Sequence, residues 1–341
     1  MFSPPRFHPN RPSLVRPVRV DPTGECGPTR KQARGPRWRR TSQGFYVPSQ
    51  VPADDSYQRI VEASVLMRPG EAVTGRAALC WLGARWFDAR QVDLVTCREV
   101  VPPPGVQVSQ EFLRPGEVVT VDGLPITVPV RSVCFEVRHA ATLTEAVTAL
   151  DMAAYSDLVS IRELAAYAAA LGPWTGIPQC RKAVGLANEN AWSPPEVMMR
   201  LLWTLDAYRT PVLCNAPVFD RFGRHVGTPD LLDPVAGVIG EYDGPLHLAG
   251  RQRAQDLRRE GDFRGLGLEY VTMVAGDAAD HYQSFRHRLE TAYRNARRMS
   301  EHERVWTVEP PRWWTDTATV AARRALDPRA RDRLLRYRRT A

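Results

Sequence analysis

Lysine is nearly missing from this chain: of its 46 Lys and Arg residues only Lys31 and Lys182 are lysines. Chemistry that needs an amine therefore has two places to come from. The six cysteines (Cys26, Cys80, Cys97, Cys134, Cys180, Cys214) lie far apart with no C-x-x-C pair. That argues against a structural zinc knuckle or a dithiol redox motif and predicts free, mostly buried thiols. Long hydrophobic runs are absent too, since no uncharged apolar stretch approaches the roughly 18 residues of a membrane span. The proline- and arginine-rich start carries no apolar core of a signal peptide, so a cytoplasmic protein with no membrane partner is expected. No internal repeat is present, which removes solenoids and propellers.

What is there suits an ordinary globular protein. The 341 residues, 43% apolar and 25% charged, are enough for two domains with ragged ends. A net charge of +8 favours an anionic partner, nucleic acid above all. The competing reading is that GC-rich coding has filled the surface with arginine.

Residues 1–35 show little apolar periodicity and read as a basic, flexible Pro/Arg-rich arm. "RWRRTSQGFYVPS" (Arg37 to Ser49) reads as a hairpin. Helices are expected within Tyr57–Trp86, and β-branched runs with Pro-Gly and Asp-Gly turns predict a small sheet between Asp93 and Val133. Alanine-rich helices follow, and a domain boundary is expected near Pro173 and Gly176. In the second half, Ser193-Pro194-Pro195-Glu196 is a strong helix start. Strands are expected in "PVLCNAPVF", "RHVG" and "VAGVIGEYDG", then a helix, the strand "LEYVTMV" and a long final helix. The predicted class is α/β: a mixed α+β domain over 36–176, an α/β sandwich over 177–299 and an arginine-rich tail over 300–341.

The chemistry concentrates in "GTPDLLDPVAGVIGEYDGPLH", Gly227 to His247. In the strand ending at Tyr242, alternation places Ile239, Glu241 and Asp243 on one face, about 6.6 Å between same-face neighbours. With Asp230 from an adjacent strand start, the carboxylates can converge, and convergent acids want a cation. An all-oxygen set suits Mg²⁺ or Mn²⁺, which can activate water and neutralise a scissile phosphate. His247 is placed to move a proton. The plainer readings stand beside these: Glu196 as a helix-cap residue, Asp230 and Asp243-Gly244 as turn residues, His247 as structural. Glu241, ending so apolar a run, is the sharpest feature. No lysine lies in this region, so His247, Arg259 or metal-bound water would have to replace one.

"SPPEVMMRLLW", "GTPDLLD", "GEYDGPLH" and "DLRREGDFRGLGLEYV" together resemble the very-short-patch-repair-like endonuclease domain of the PD-(D/E)xK superfamily, over about residues 178 to 298. Asp243 stands where that superfamily's lysine would be, and the Glu-x-Asp-Gly-x-x-His ending is typical of the domain. The resemblance implies a restriction-endonuclease-like sandwich, a metal site from Asp230 and Glu241, assistance from Glu196 and Asp243, His247 nearby, and Asp256 and Arg259 on the following helix. "RWRRTSQGFYVP", "AVTGRAALCWLGA", "LPITVPVRSVCFEVRHA" and "LTEAVTALDMAAYSDLVSIRELAAYA" resemble the N-terminal part of AbiEi-type antitoxin or regulator proteins. That implies a winged-helix-like element with Arg37, Arg39 and Arg40 near its wing. The expected function is a metal-dependent DNA endonuclease with a DNA-binding domain, with a toxin or a second copy as further partners. The alternatives are a DNA-binding regulator of antitoxin type on an inactive nuclease fold, or an interaction protein whose acidic pocket takes no metal.

Overall fold

The computed structural model describes residues 5–206, 212–244, 251–298 and 304–339, with backbone alone over 251–257. The chain is a mixture of helices and several small sheets divided into two compact units, residues 1–140 with 162–181, and residues 141–161 with 182–341. This differs from one boundary near residue 176, because the segment 141–161 packs with the second half.

In the first unit, β1 (Arg6–His8) and β2 (Arg11–Val15) pair as a hairpin, and β3 (Val18–Arg19) joins the edge of a small sheet. The flexible arm expected over 1–35 is thus replaced by ordered strands. Long-range side chains hold them: Gln58 exchanges two hydrogen bonds with the Val15 backbone, 2.9 and 3.0 Å, and Arg11 pairs with Asp122 at 2.9 Å while lying over the Trp81 ring. One short helix, α1 (Arg30–Ala33), precedes β4 (Trp38–Ser42) and β5 (Phe45–Pro48), the hairpin expected there. Among the described residues α1 is the only helix before β4, so the helix pair of a helix-turn-helix is missing from this segment.

Helices α2 (Ser56–Ser64), α3 (Gly75–Trp81) and α4 (Pro129–His139) pack on a five-stranded sheet of β6 (Ala72–Thr74), β7 (Val92–Val95), β8 (Val106–Ser109), β9 (Val118–Val121) and β10 (Leu124–Thr127), in the order β8-β7-β6-β10-β9. Several buried charges of this unit meet at Glu111. Glu111 accepts from Arg131, Arg138 and His139; burial opposes its charge, yet these donors hold its carboxyl down at about 2. All six cysteines are free, with Cys26 and Cys97 exposed and the other four buried.

Helix α5 (Leu143–Tyr155) belongs to the second unit, while α6 (Ile161–Ala169) and α7 (Ile177–Leu186) each run across a division point. The buried Asp151 of α5 binds Arg200 of α8 (Pro194–Leu201), whose last turn widens into a π-helical turn at Leu202–Asp206. The strands β11 (Leu213–Cys214), β12 (Val218–Asp220), β13 (His225–Gly227), β14 (Leu231–Asp233) and β15 (Val238–Asp243) follow. After them come α9 (Arg251–Gly265), β16 (Glu269–Val274), α10 (Gln283–Ala296) and β17 (Trp306–Thr307), then α11 (Val320–Arg324) and α12 (Pro328–Leu334). The central sheet runs β11-β14-β15-β16, and β12 lies between β13 and β17 in a second sheet.

Side chains alternate across β14 and β15, so each face of the central sheet has its own core. Leu231 and Val238 pack with Met199, Trp203, Phe285, Leu289 and Tyr293 from α8, the π-helical turn and α10. Leu232 and Ile239 pack with Val218, Phe263 and Leu268 on the α9 side. At Gly240 the indole of Trp203 comes so close that a Cβ would sit 2.6 Å from its ring, and Trp203 is itself anchored by a 2.8 Å bond from Nε1 to Tyr293 Oη. Gly240→Ala should therefore cost about 1–3 kcal/mol by overpacking a rigid contact. Urea unfolding checks this, and an unchanged midpoint would show that Trp203 moves aside freely.

Candidate functional site

The acidic residues meet where β14 begins and β15 ends. The β14–β15 register pairs Asp233 with Val238, Leu232 with Ile239 and Leu231 with Gly240. One step further sets Asp230 opposite Glu241. Asp230 Oδ2 accepts the backbone N–H of Tyr242 at 2.7 Å, and its carbonyl accepts Asn215 N–H at 2.9 Å, which fixes the residue at the sheet end. Directly opposed residues bring their Cβ atoms to about 5 Å, where like charges repel.

Glu241 is buried although charged, and its partner comes from α9: the guanidinium of Arg259 donates to Glu241 Oε2. Ile239 and Glu241 share the face covered by α9, so the alternation read from the strand also delivers the acid to the arginine. The phenol of Tyr270, on β16, is pushed above its ordinary value by burial and then by Glu241, with Asp230 adding and Arg259 opposing. These four side chains thus form one electrostatic neighbourhood. Asp243 follows at the half-buried end of β15, beside Val274 of β16.

Glu196 combines both readings open for it. Ser193 Oγ accepts its backbone N–H, while its carboxyl accepts Trp192 N–H at 2.8 Å and the Ser193 hydroxyl at 2.8 Å, so it does complete the α8 start. It also accepts Asn215 Nδ2 at 2.7 Å, which ties the helix start to the sheet. Burial, and next the charge of Asp230, push its carboxyl up to about 8. Burial thus favours its protonated form, against the hydrogen bonds from Trp192, Asn215 and Ser193, which favour the ionised one.

Asn215 was not foreseen. It sits at φ 45° between β11 and β12, exchanges bonds with Asn190 and reaches Glu196. The available signal was the Asn in "CNAP", a residue that tolerates the left-handed region and interrupts the run expected as one strand. Tyr270 was likewise unmarked, looking like any β-favouring aromatic. His247 lies outside the described residues, as does the side chain of Asp256. Of the arginines expected near a wing, Arg39 is committed to Glu62 at 2.7 Å, whereas Arg37 and Arg40 are exposed.

Among the described residues no group of three or more His, Cys, Asp or Glu side chains is placed to hold a metal ion, and no helix is long and apolar enough to cross a membrane. Comparison of the chain with protein-family models, curated proteins and solved structures gave no match.

The raised carboxyl of Glu196 has a definite pH signature. A group that binds its proton more tightly when folded contributes stability that is fully present below its ordinary value near 4.5 and is lost as pH rises through about 8. Glu196→Gln, which stays neutral, should therefore raise the melting temperature relative to the wild type at pH 8.5 and lose that advantage by pH 4.5. Thermal unfolding in chelator measures it, and a pH-independent difference between the two proteins would refute the assignment.

Proposed function

We propose that the second unit is a divalent-cation-dependent DNA endonuclease built on a restriction-endonuclease-like sandwich. The observation that carries this reading is the placement of Asp230 opposite Glu241 at a sheet end, with the buried Tyr270 feeling both charges and the buried Glu196 that of Asp230. Two carboxylates set opposite each other are a donor set for a hard cation. Mg²⁺ characteristically takes one or two carboxylates and keeps its remaining positions for water and phosphate, so a third protein ligand is not required. Asp230 and Glu241 would hold Mg²⁺ or Mn²⁺, and the bound ion would supply an activated water and charge neutralisation at the phosphate.

The chain's own residues then have separate tasks. Arg259 holds Glu241 in place and is available to a phosphate oxygen once a cation takes over that carboxylate. Glu196 orients Asn215 and the α8 start through its hydrogen bonds. Asp243, on the Glu241 face at the strand end, is the carboxylate left to accept a proton from water.

A second reading has its own support in the Glu241–Arg259 pair, which satisfies the acid with no cation at all. On that reading the protein is a DNA-binding regulator of antitoxin type, and the nuclease-like unit is a platform. Incubation with supercoiled plasmid and Mg²⁺ or Mn²⁺ separates the two. Cleavage is expected, with Asp230→Ala and Glu241→Ala each lowering it about a hundredfold or more, as the loss of several kcal/mol of metal catalysis requires. No nicking with any metal, together with salt-sensitive binding to DNA upstream of the protein's own gene that weakens when Arg37 and Arg40 are replaced, would instead establish the regulator.

A further inference from the structure

The β12–β13 hairpin and the segment around β17 carry exposed rings that the fold does not use. Phe222, at the hairpin tip, is 81% exposed, and Trp313 is 62% exposed. Both stand on rigid supports. The hairpin turn is fixed by Asp220, whose carboxylate accepts Phe222 N–H and Arg224 N–H at 2.9 Å each. Trp313 packs edge-on against Trp314, with centroids 5.7 Å apart, and both rings meet the buried Phe219 edge-on. His225 lies 4.9 Å from Trp314 and reaches Thr228 Oγ1 at 3.0 Å. The Pro310-Pro311 pair and the β12–β17 ladder limit how far this ledge can shift.

Guanidiniums alternate with the rings. Arg221 stacks over Phe222 at 4.8 Å, and Arg224 and Arg312 are exposed. Of the carboxylates on these segments, Asp220 is held by the turn and Arg224, while Glu309 and the exposed Asp316 keep their charge, so the rings matter more here than the net charge does. Aromatic faces interleaved with arginine suit unpaired bases and their phosphates, because every base offers a π-face and every linkage a negative charge. Two separated rings are too little apolar area for the roughly 800 Å² per partner that a stable protein interface buries. From Phe222 to Asp230 the chain advances eight residues, roughly 28 Å at most, so a strand held on the ledge lies within several nucleotides of the acids.

We propose that this ledge binds unpaired nucleotides, so that the DNA presented to the Asp230–Glu241 site is single-stranded or locally opened. The proposal rests on the cleavage reading for its choice of DNA, while the ledge itself is tested by binding alone. Fluorescence anisotropy of the full chain with a short labelled single-stranded DNA, in chelator so that nothing is cut, is the measurement. Phe222→Ala and Trp313→Ala should each weaken binding about fivefold to a hundredfold. Trp313→Phe, which keeps a ring, should restore most of it, and a duplex of the same sequence should bind less tightly and ignore these changes. Wild-type affinity in both folded alanine variants, or tighter binding of the duplex or of an RNA of the same sequence, overturns the proposal. A wild-type protein that cuts nothing yet loses single-strand binding in the ledge variants would remove the cleavage reading and leave the ledge standing.

Discussion

Two like charges facing each other across a sheet end are the constraint around which the second unit is arranged. Set opposite each other, Asp230 and Glu241 repel when both are ionised. A backbone hydrogen bond to Asp230 offsets part of that. The balance must come from a positive charge, and here α9 delivers it as Arg259. For that guanidinium to arrive, α9 must lie on the Ile239–Glu241 face, and Phe263 and Leu268 must fill the layer beneath it. The opposite face is then left to α8 and α10, which close so tightly that only glycine fits at position 240. Burial, and next the Asp230 charge, raise the Glu196 carboxyl above its ordinary value.

The features that could be read from the chain are those that depend on near neighbours. The two-residue period of "VIGEYD" placed Ile239, Glu241 and Asp243 together, and the structure puts Ile239 and Glu241 against the same helix. Ser193-Pro-Pro-Glu196 started a helix as its cap chemistry requires, and the "RWRRTSQGFYVPS" hairpin formed. In each case the hydrogen-bond partners lie within a few residues, so local pattern carries the information.

What could not be read depends on contacts across long stretches of chain. Residues 6–19 are polar and rich in arginine and proline, and nothing local makes them strands. Gln58 and Asp122, 43 and 111 residues away from their partners, do so. The division into units was hidden for a similar reason: α5 resembles the alanine-rich helix α6 in composition, yet it carries Asp151, which is buried against Arg200 and belongs to the second core. Glu196 was legible as a cap, whereas its link to Asn215 and its raised carboxyl needed the sheet beside it. The aromatic ledge escaped notice because "RWWTD" falls in a tail beyond the acids, and only the β12–β17 pairing brings it beside the hairpin that leads to Asp230.

The scarcity of lysine has a consequence for how such a site would work. A guanidinium remains charged at every accessible pH, so Arg259 can orient a carboxylate or meet developing negative charge but cannot accept a proton from water. Glu196, whose carboxyl burial holds above its ordinary value and whose oxygens are occupied by Trp192, Ser193 and Asn215, is not a ready base either. On the proposed reading Asp230 and Glu241 would be the cation ligands, which would leave Asp243, of the described carboxylates, as the acceptor on their face. On that reading charge stabilisation would fall to Arg259, and proton acceptance to the Asp243 carboxylate. Because Arg259 and a cation would compete for Glu241, arrival of the metal would free the guanidinium for phosphate, coupling occupancy of the site to capture of the strand beside it.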